Sequence, residues 1–240
     1  MTSSIRTLLC AFVAATVAGC GTETDVARST PEESLVALWT FDEGQGTQAA
    51  DTSGNSNTAT IRNGDWGPGK YGQALQMNGG NDGIVEIPLS DSLRSTGDRI
   101  SVMAWTYRTA RHNVAIVGHG YPYLFLGFHG PQFKWQVVSA KGKRAGCYAD
   151  REHKAELDQW FHVAGTYDGR TVRLYRDGEE ICSESLSGSI EMPEVPFTVS
   201  GYVDKKGEIV DEITGMLDDV RIYSEALTPE EIQKIMGAGQ

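Results

Sequence analysis

The sequence is short of positive charge. Lys and Arg number 21 against 32 Asp and Glu, a formal charge of −11 at pH 7. Without surplus cations to displace phosphate counterions, nucleic acid is excluded as the expected partner. Cysteine is scarce too, with four in 240 residues. No CxxC or HExxH spacing occurs, so a zinc site has no support, and no GxSxG turn raises a serine nucleophile. The apolar stretch Thr7–Gly19 is only 13 residues long, and a helix needs about 20 to span a hydrocarbon core.

That stretch follows a single basic residue, Arg6, and ends Val17-Ala18-Gly19-Cys20. Its length and flanks are those of an export signal. The last four residues resemble the lipobox of bacterial lipoproteins. The resemblance implies that residues 1–19 are removed, Cys10 with them, and that Cys20 carries the lipid. Gly21, where an Asp would favour the inner membrane, implies a lipid-anchored place in the cell envelope, at the outer membrane. Residues 20–34 continue as GTETDVARSTPEES after the cysteine. With no aromatic and scarcely an aliphatic side chain, this segment predicts a flexible tether. Two cysteines then remain, Cys147 and Cys182. In an oxidising compartment a single disulfide between them is the default, with two separate buried thiols as the alternative.

From residue 35 to 240 the chain alternates short runs rich in Val, Ile, Trp, Tyr and Phe with glycine-containing turns. The runs are 35–41, 73–77, 84–88, 100–107, 113–119, 123–128, 133–138, 159–167, 171–177, 179–185 and 216–223. Such a pattern predicts an all-β sandwich or barrel. Tyr167-Asp-Gly-Arg and Arg176-Asp-Gly-Glu read as hairpin turns. Thr228-Pro-Glu-Glu231 supplies a capping residue, a first-turn proline and a capping-box glutamate ahead of Ile232, Ile235 and Met236. It predicts a short C-terminal helix.

The blocks ALWTFDEGQGTQAADTSGNSNTATI, GKYGQALQMNGGNDGIVEIP, ISVMAWTY, QWFHVAGTYDGRTVRLYRDGEEI and GMLDDVRIYSEALTPEEI follow one another in order. Together they resemble the successive blocks of the LamG-like jelly-roll family, within the concanavalin A-like lectin/glucanase superfamily. The resemblance spans residues 35–235 and implies a two-sheet antiparallel jelly-roll sandwich. It says little about activity, because that scaffold hosts lectins, binding modules, hydrolases and lyases.

Asp51-Thr-Ser-Gly-Asn55-Ser-Asn57 gathers oxygen-bearing side chains about a glycine turn, the donor type calcium takes. Asp218 shares the parity of Val220 and Ile222 and is expected to face the core. The resemblance joins Asp51, Asn55, Asn57 and Asp218 into a structural calcium site. An Asx-rich turn capping its own backbone is the competing reading, and Asp82 reads as turn chemistry.

Sugars present apolar C–H faces and rings of hydroxyls, so aromatic platforms beside polar groups suit them. Trp105, Tyr107, His119, Tyr123, Trp135 and Tyr148 are the candidate ligand-binding residues. Trp105 and Tyr107 share a parity opposite to Val102, Ala104 and Thr106. Phe133, Trp135 and Val137 share one opposite to Lys134 and Gln136. The paired-carboxylate pattern Glu-x-Asp-x-x-Glu of the superfamily's retaining glucanases is absent. A lyase would need a Tyr or His base with cations against a uronate, and His119, Tyr121, Tyr123, Arg108 and Arg144 are the candidates. His162 reads as structural. The expectation is a membrane-anchored, calcium-bearing domain that binds a glycan or polysaccharide. The alternatives are a polysaccharide lyase or glycoside hydrolase on the same scaffold, or an adhesion domain recognising other envelope proteins.

Overall fold

The structure, a computed structural model, describes residues 28–150 and 152–238. Cys20 and the export segment lie outside the described residues. Two eight-stranded antiparallel sheets pack face to face. In the first, the order is Glu179–Ser185, Thr171–Arg176, Trp160–Tyr167, Ile100–Arg108, Thr214–Tyr223, Gln73–Asn78 and Asp65–Pro68. Leu35–Trp39 completes it by pairing with the second half of Thr214–Tyr223. The second sheet runs Arg144–Tyr148, Gln132–Val138, Leu124–His129, Val114–His119, Phe197–Val199, Ile84–Ile87, Ala59–Arg62 and Gln48–Ala49. This is a jelly-roll sandwich.

Between the sheets lies one core that includes Trp39, Phe41, Val102, Leu126, Phe133, Trp135, Val163 and Ile222. The Ile100–Arg108 strand is buried on both faces. Val102 and Ala104 point into the sandwich. Met103 points outward and is covered, with Ala164, Tyr175 and Tyr223, by Leu227 and Ile232 of the C-terminal segment. That cover is why the strand reads as a nearly continuous apolar run rather than a strict alternation.

The helix itself is Pro229–Gly237. Thr228 Oγ1 accepts the Glu231 amide at 3.3 Å and a Glu231 carboxylate oxygen accepts the Thr228 amide at 2.7 Å, the reciprocal capping box the sequence predicts. The same four letters, Thr30-Pro-Glu-Glu33, form a second box at 3.3 and 2.9 Å ahead of Leu35–Trp39. Pro31–Ser34 is therefore a helical turn capped by Thr30, a correction to its place in the predicted tether. A low apolar content does not prevent order when local caps satisfy the backbone and the turn docks. Here the Ser34 carbonyl accepts the Ser224 amide at 2.9 Å, and Arg28 pairs with Glu231 at 2.9 Å.

Both predicted hairpin turns form. Asp177 (φ 50°) and Gly178 (φ 81°) take the left-handed pair that a two-residue loop requires. Cys147 and Cys182 are bonded, with Cα atoms 5.6 Å apart.

Candidate functional site

In the Gln132–Val138 strand, Phe133, Trp135 and Val137 enter the core, so Lys134 and Gln136 take the opposite, outer face. Register carries that outer row across the sheet. Gln136 pairs with Gly146 on one side and Phe125 on the other, Phe125 with Gly118, Gly118 with Thr198, and Thr198 with Glu86. One step along, Lys134 lies between Tyr148 and Gly127. Three glycines keep this face low, and side chains from flanking loops rise around it.

Two cavities result. One, of about 460 Å³, is lined by Tyr121, Phe125, His129, Lys134, Gln136, Arg144, Tyr148, Tyr202 and Asp211, among others. The next, of about 500 Å³, is lined by Glu86, Tyr123, Pro193, Val195, Thr198, Tyr202 and Lys205, among others. Tyr121 and Tyr202 line both cavities and stack at 4.3 Å between centroids. Lys134 lies at the base of the first, with its Nζ 4.7 Å from the Phe125 centroid, 5.5 Å from Tyr148 and 5.8 Å from Tyr121. Burial raises the Asp211 carboxyl, opposed by the charges of His112, Lys134 and His129. Burial likewise pushes the Tyr202 phenol up to about 12, keeping it a neutral hydrogen-bond donor.

The sequence-derived ligand set divides among three places. Tyr148 and Tyr123 line these cavities. Trp135 is 0 % exposed in the core, a correction to its assignment. Its indole N–H donates to the Thr166 carbonyl at 3.0 Å, and its ring lies against bare Gly165, where a Cβ would sit 2.3 Å from Cδ2. His119 is also interior, stacked at 4.2 Å on Phe197, and burial pushes its imidazole down to about 4. Trp105 and Tyr107 belong to the other sheet's outer face. There Trp105 is covered by Lys70 at 4.3 Å from its centroid, His162 at 5.3 Å and Tyr71 at 6.1 Å.

The lyase set does not assemble. Tyr121 and Arg144 share the first cavity and Tyr123 lines the second, but His119 is in the core. Arg108 is buried over Phe128 at 4.0 Å, donating to the carbonyls of Gly130 (3.1 Å) and His112 (2.8 Å). Burial, with Arg111 nearby, lowers its pKa to about 10. Its role is to hold two loops. His162 is buried and pushed down to about 3 by burial, as a structural histidine.

Three of the four calcium candidates, Asp51, Asn55 and Asn57, are taken up by hydrogen bonds to protein groups. Asp51 Oδ1 accepts the amides of Leu38 (3.0 Å) and Ser53 (2.9 Å), and Oδ2 accepts that of Asn57 (2.9 Å). Asn55 turns its NH₂ to the Leu35 and Val36 carbonyls at 3.1 and 3.0 Å. Asn57 Oδ1 accepts the Ser90 hydroxyl at 2.6 Å. The turn is an Asx-rich cap of its own backbone.

Asp218 has other company. A bulge at Asp219 (φ 49°) inserts one residue opposite the Ile100–Arg108 strand. Parity therefore resets: Leu217 and Val220 both face the core, while Asp218 pairs with outward-facing Trp105. Its Oδ2 accepts the Tyr71 amide at 2.9 Å. Among the described residues Oδ1 has no partner, and burial, reinforced by Asp219 and Asp42, raises the carboxyl to about 7. Among the described residues no group of three or more His, Cys, Asp or Glu is placed to hold a metal ion.

Lys134, Gln136, Phe125, Tyr202 and Asp211 were missing from the sequence-derived set. Lys134 and Gln136 carry a signal, polar residues alternating with large apolar ones. Tyr202 and Asp211 carry none, since they reach the cavity from a distant hairpin.

Two packed sheets with an open, aromatic-walled outer face define a jelly-roll sandwich of the lectin type. The chain belongs to the concanavalin A-like lectin/glucanases superfamily, whose Laminin G family model matches residues 78–233. No curated protein sequence matches it. Among solved structures it is similar to the binding domain of Paraclostridial Mosquitocidal Protein 1 (TM-score 0.71, 15 % identity, covering 87 % of this chain and 53 % of that one). It is also similar to domain 4 of AbnA, an extracellular arabinanase from Geobacillus stearothermophilus, in complex with arabinotriose (0.63, 20 %, 84 % and 98 %). A third is the binding domain of Botulinum Neurotoxin DC in complex with SialylT (0.67, 15 %, 88 % and 53 %). The chain spans about half the length of the two toxin domains and nearly all of the arabinanase domain.

Proposed function

We propose that this domain binds a carbohydrate on the outer face of its second sheet, in the cavity walled by Tyr121, Tyr148 and Tyr202. The observation that carries this reading is the arrangement itself. Aromatic faces suited to sugar C–H groups surround Gln136, Arg144 and Asp211, which suit hydroxyls. The arabinotriose and SialylT complexes of two structural neighbours support a glycan as the ligand class.

The reading includes lipid anchorage through Cys20 at the outer membrane, supported by Val17-Ala18-Gly19-Cys20. Arg28, the first described residue, bonds to Glu231 and the Ala226 carbonyl. Glu231 lies in the C-terminal helix and Ala226 just before it, on the first sheet's outer face.

Isothermal titration against a panel of neutral and acidic oligosaccharides tests the proposal, with the same mixtures assayed for reducing or unsaturated ends. Saturable binding without product, weakened by Tyr148→Ala at unchanged melting temperature, is expected. Product release would overturn pure binding in favour of the lyase or hydrolase alternative.

A further inference from the structure

Lys134 is only 7 % exposed, yet it reaches the floor of the cavity. Three aromatic rings surround its ammonium. Ring faces attract a cation but leave its N–H donors without acceptors. Among the described residues no ion pair and no hydrogen bond engages that ammonium. Arg144, in the same cavity, is likewise in no ion pair there, although most arginines of this acidic chain are paired. The Lys134 ammonium therefore keeps N–H donors available to an acceptor entering from the open side of the cavity, with Asp211 the one carboxylate in the lining. Exposed Lys141 and Lys143 stand in the turn leading to Arg144, so the local field is positive against a net charge of −11.

We infer that this cavity takes the carboxylate of an acidic sugar, with Lys134 and Arg144 holding the anion while Tyr121 and Tyr148 pack against the ring. This rests on the carbohydrate reading above and specifies the ligand class for the same site. Asp211 lines the cavity beyond ion-pair distance of Lys134. There it accepts hydroxyl hydrogen bonds from the same sugar.

The test is titration of the full-length protein with oligogalacturonate and oligomannuronate, and with each after chemical reduction of its carboxyl groups to neutral hexose. At least one acidic oligosaccharide is expected to bind tenfold or more tighter than its reduced form at low ionic strength, with the gap narrowing in salt. Lys134→Met, which keeps the length and apolar stem, is expected to abolish that preference. Should Lys134→Met fail to fold, Arg144→Gln at an exposed position is expected to reduce the preference several-fold. Equal affinity for the acid and reduced forms overturns this inference while leaving carbohydrate binding standing. No binding of either form, or of any neutral sugar, overturns both.

Discussion

Cys147 and Cys182 join the outermost strand of one sheet to the outermost strand of the other, with Cα atoms 5.6 Å apart across 35 residues of sequence. No backbone ladder connects the sheets at that edge. The bond removes freedom from the unfolded chain in proportion to the logarithm of the loop it closes, about 3–4 kcal/mol for this span. Cys147→Ser with Cys182→Ser should lower the unfolding free energy by that order in urea melts. An unchanged midpoint would show that the sandwich edge holds without it.

His119 and His162 are both neutral and interior, lowered by burial to about 4 and about 3. Their unfolded values lie near 6.5. A depressed pKa gives stability that is present above the unfolded value and lost as pH falls through the folded one. Thermal melts should therefore hold from pH 8 to about 6.5 and decline toward pH 4. His119→Gln should flatten part of that decline, and an identical profile would remove His119 from the account.

Asp218 works in the opposite sense. Its folded value of about 7 lies above the ordinary carboxylate range, so its favourable contribution is complete at about pH 4 and lost as pH rises through 7. Asp219 and Asp42 repel its charge, Arg221 is committed to Asp219 at 2.7 Å, and Lys70 lies over Trp105. Asp218→Asn keeps the acceptor for the Tyr71 amide and should raise the melting temperature at pH 8 but not at pH 5. A loss at pH 8 reproduced by chelator would instead assign a cation to this carboxylate.

Asp51 accepts three backbone amides, so Asp51→Ala strands three donors. A cost of about 2–4 kcal/mol is expected, at about 1 kcal/mol or more for each lost bond. Added calcium should not rescue it. Rescue in a melting experiment would restore the Asp51 turn as a metal site.

Tyr121 and Tyr148 are exposed aromatics on the proposed sugar face. Each Tyr→Ala change should weaken oligosaccharide binding by about tenfold, one lost ring platform, without altering the melt. Trp105→Phe, on the other sheet, should leave affinity unchanged, and a comparable loss there would relocate the site.

Much of this was legible in the sequence because it is local. Alternation in Gln132–Val138 and Thr171–Arg176 needs only the pleat. Asp177-Gly178 needs only the left-handed turn, and Thr228-Pro-Glu-Glu231 needs only a cap. The same letters at 30–33 sit in a stretch whose composition reads as a tether, and docking against residues 224–231 orders them. Short strands such as Ala59–Arg62 and Phe197–Val199 exist because longer neighbours offer hydrogen-bond partners, a signal no window of sequence contains.

By itself the sequence determined the class: an all-β sandwich of this superfamily, with its C-terminal helix and the pair Cys147 and Cys182. Only the tertiary structure decided what lies over each face. Alternation sets Lys134 and Gln136 opposite Phe133 and Trp135, but a period of two does not say whether a second sheet, a helix or an open cavity covers either side. Packing put the tryptophan in the core and left the lysine beneath an open cavity. One bulged residue at Asp219 likewise turned Asp218 from the core to the outer face. Side chains from residues 121, 134, 148, 202 and 211 meet only because strands distant in sequence are neighbours in the sheet.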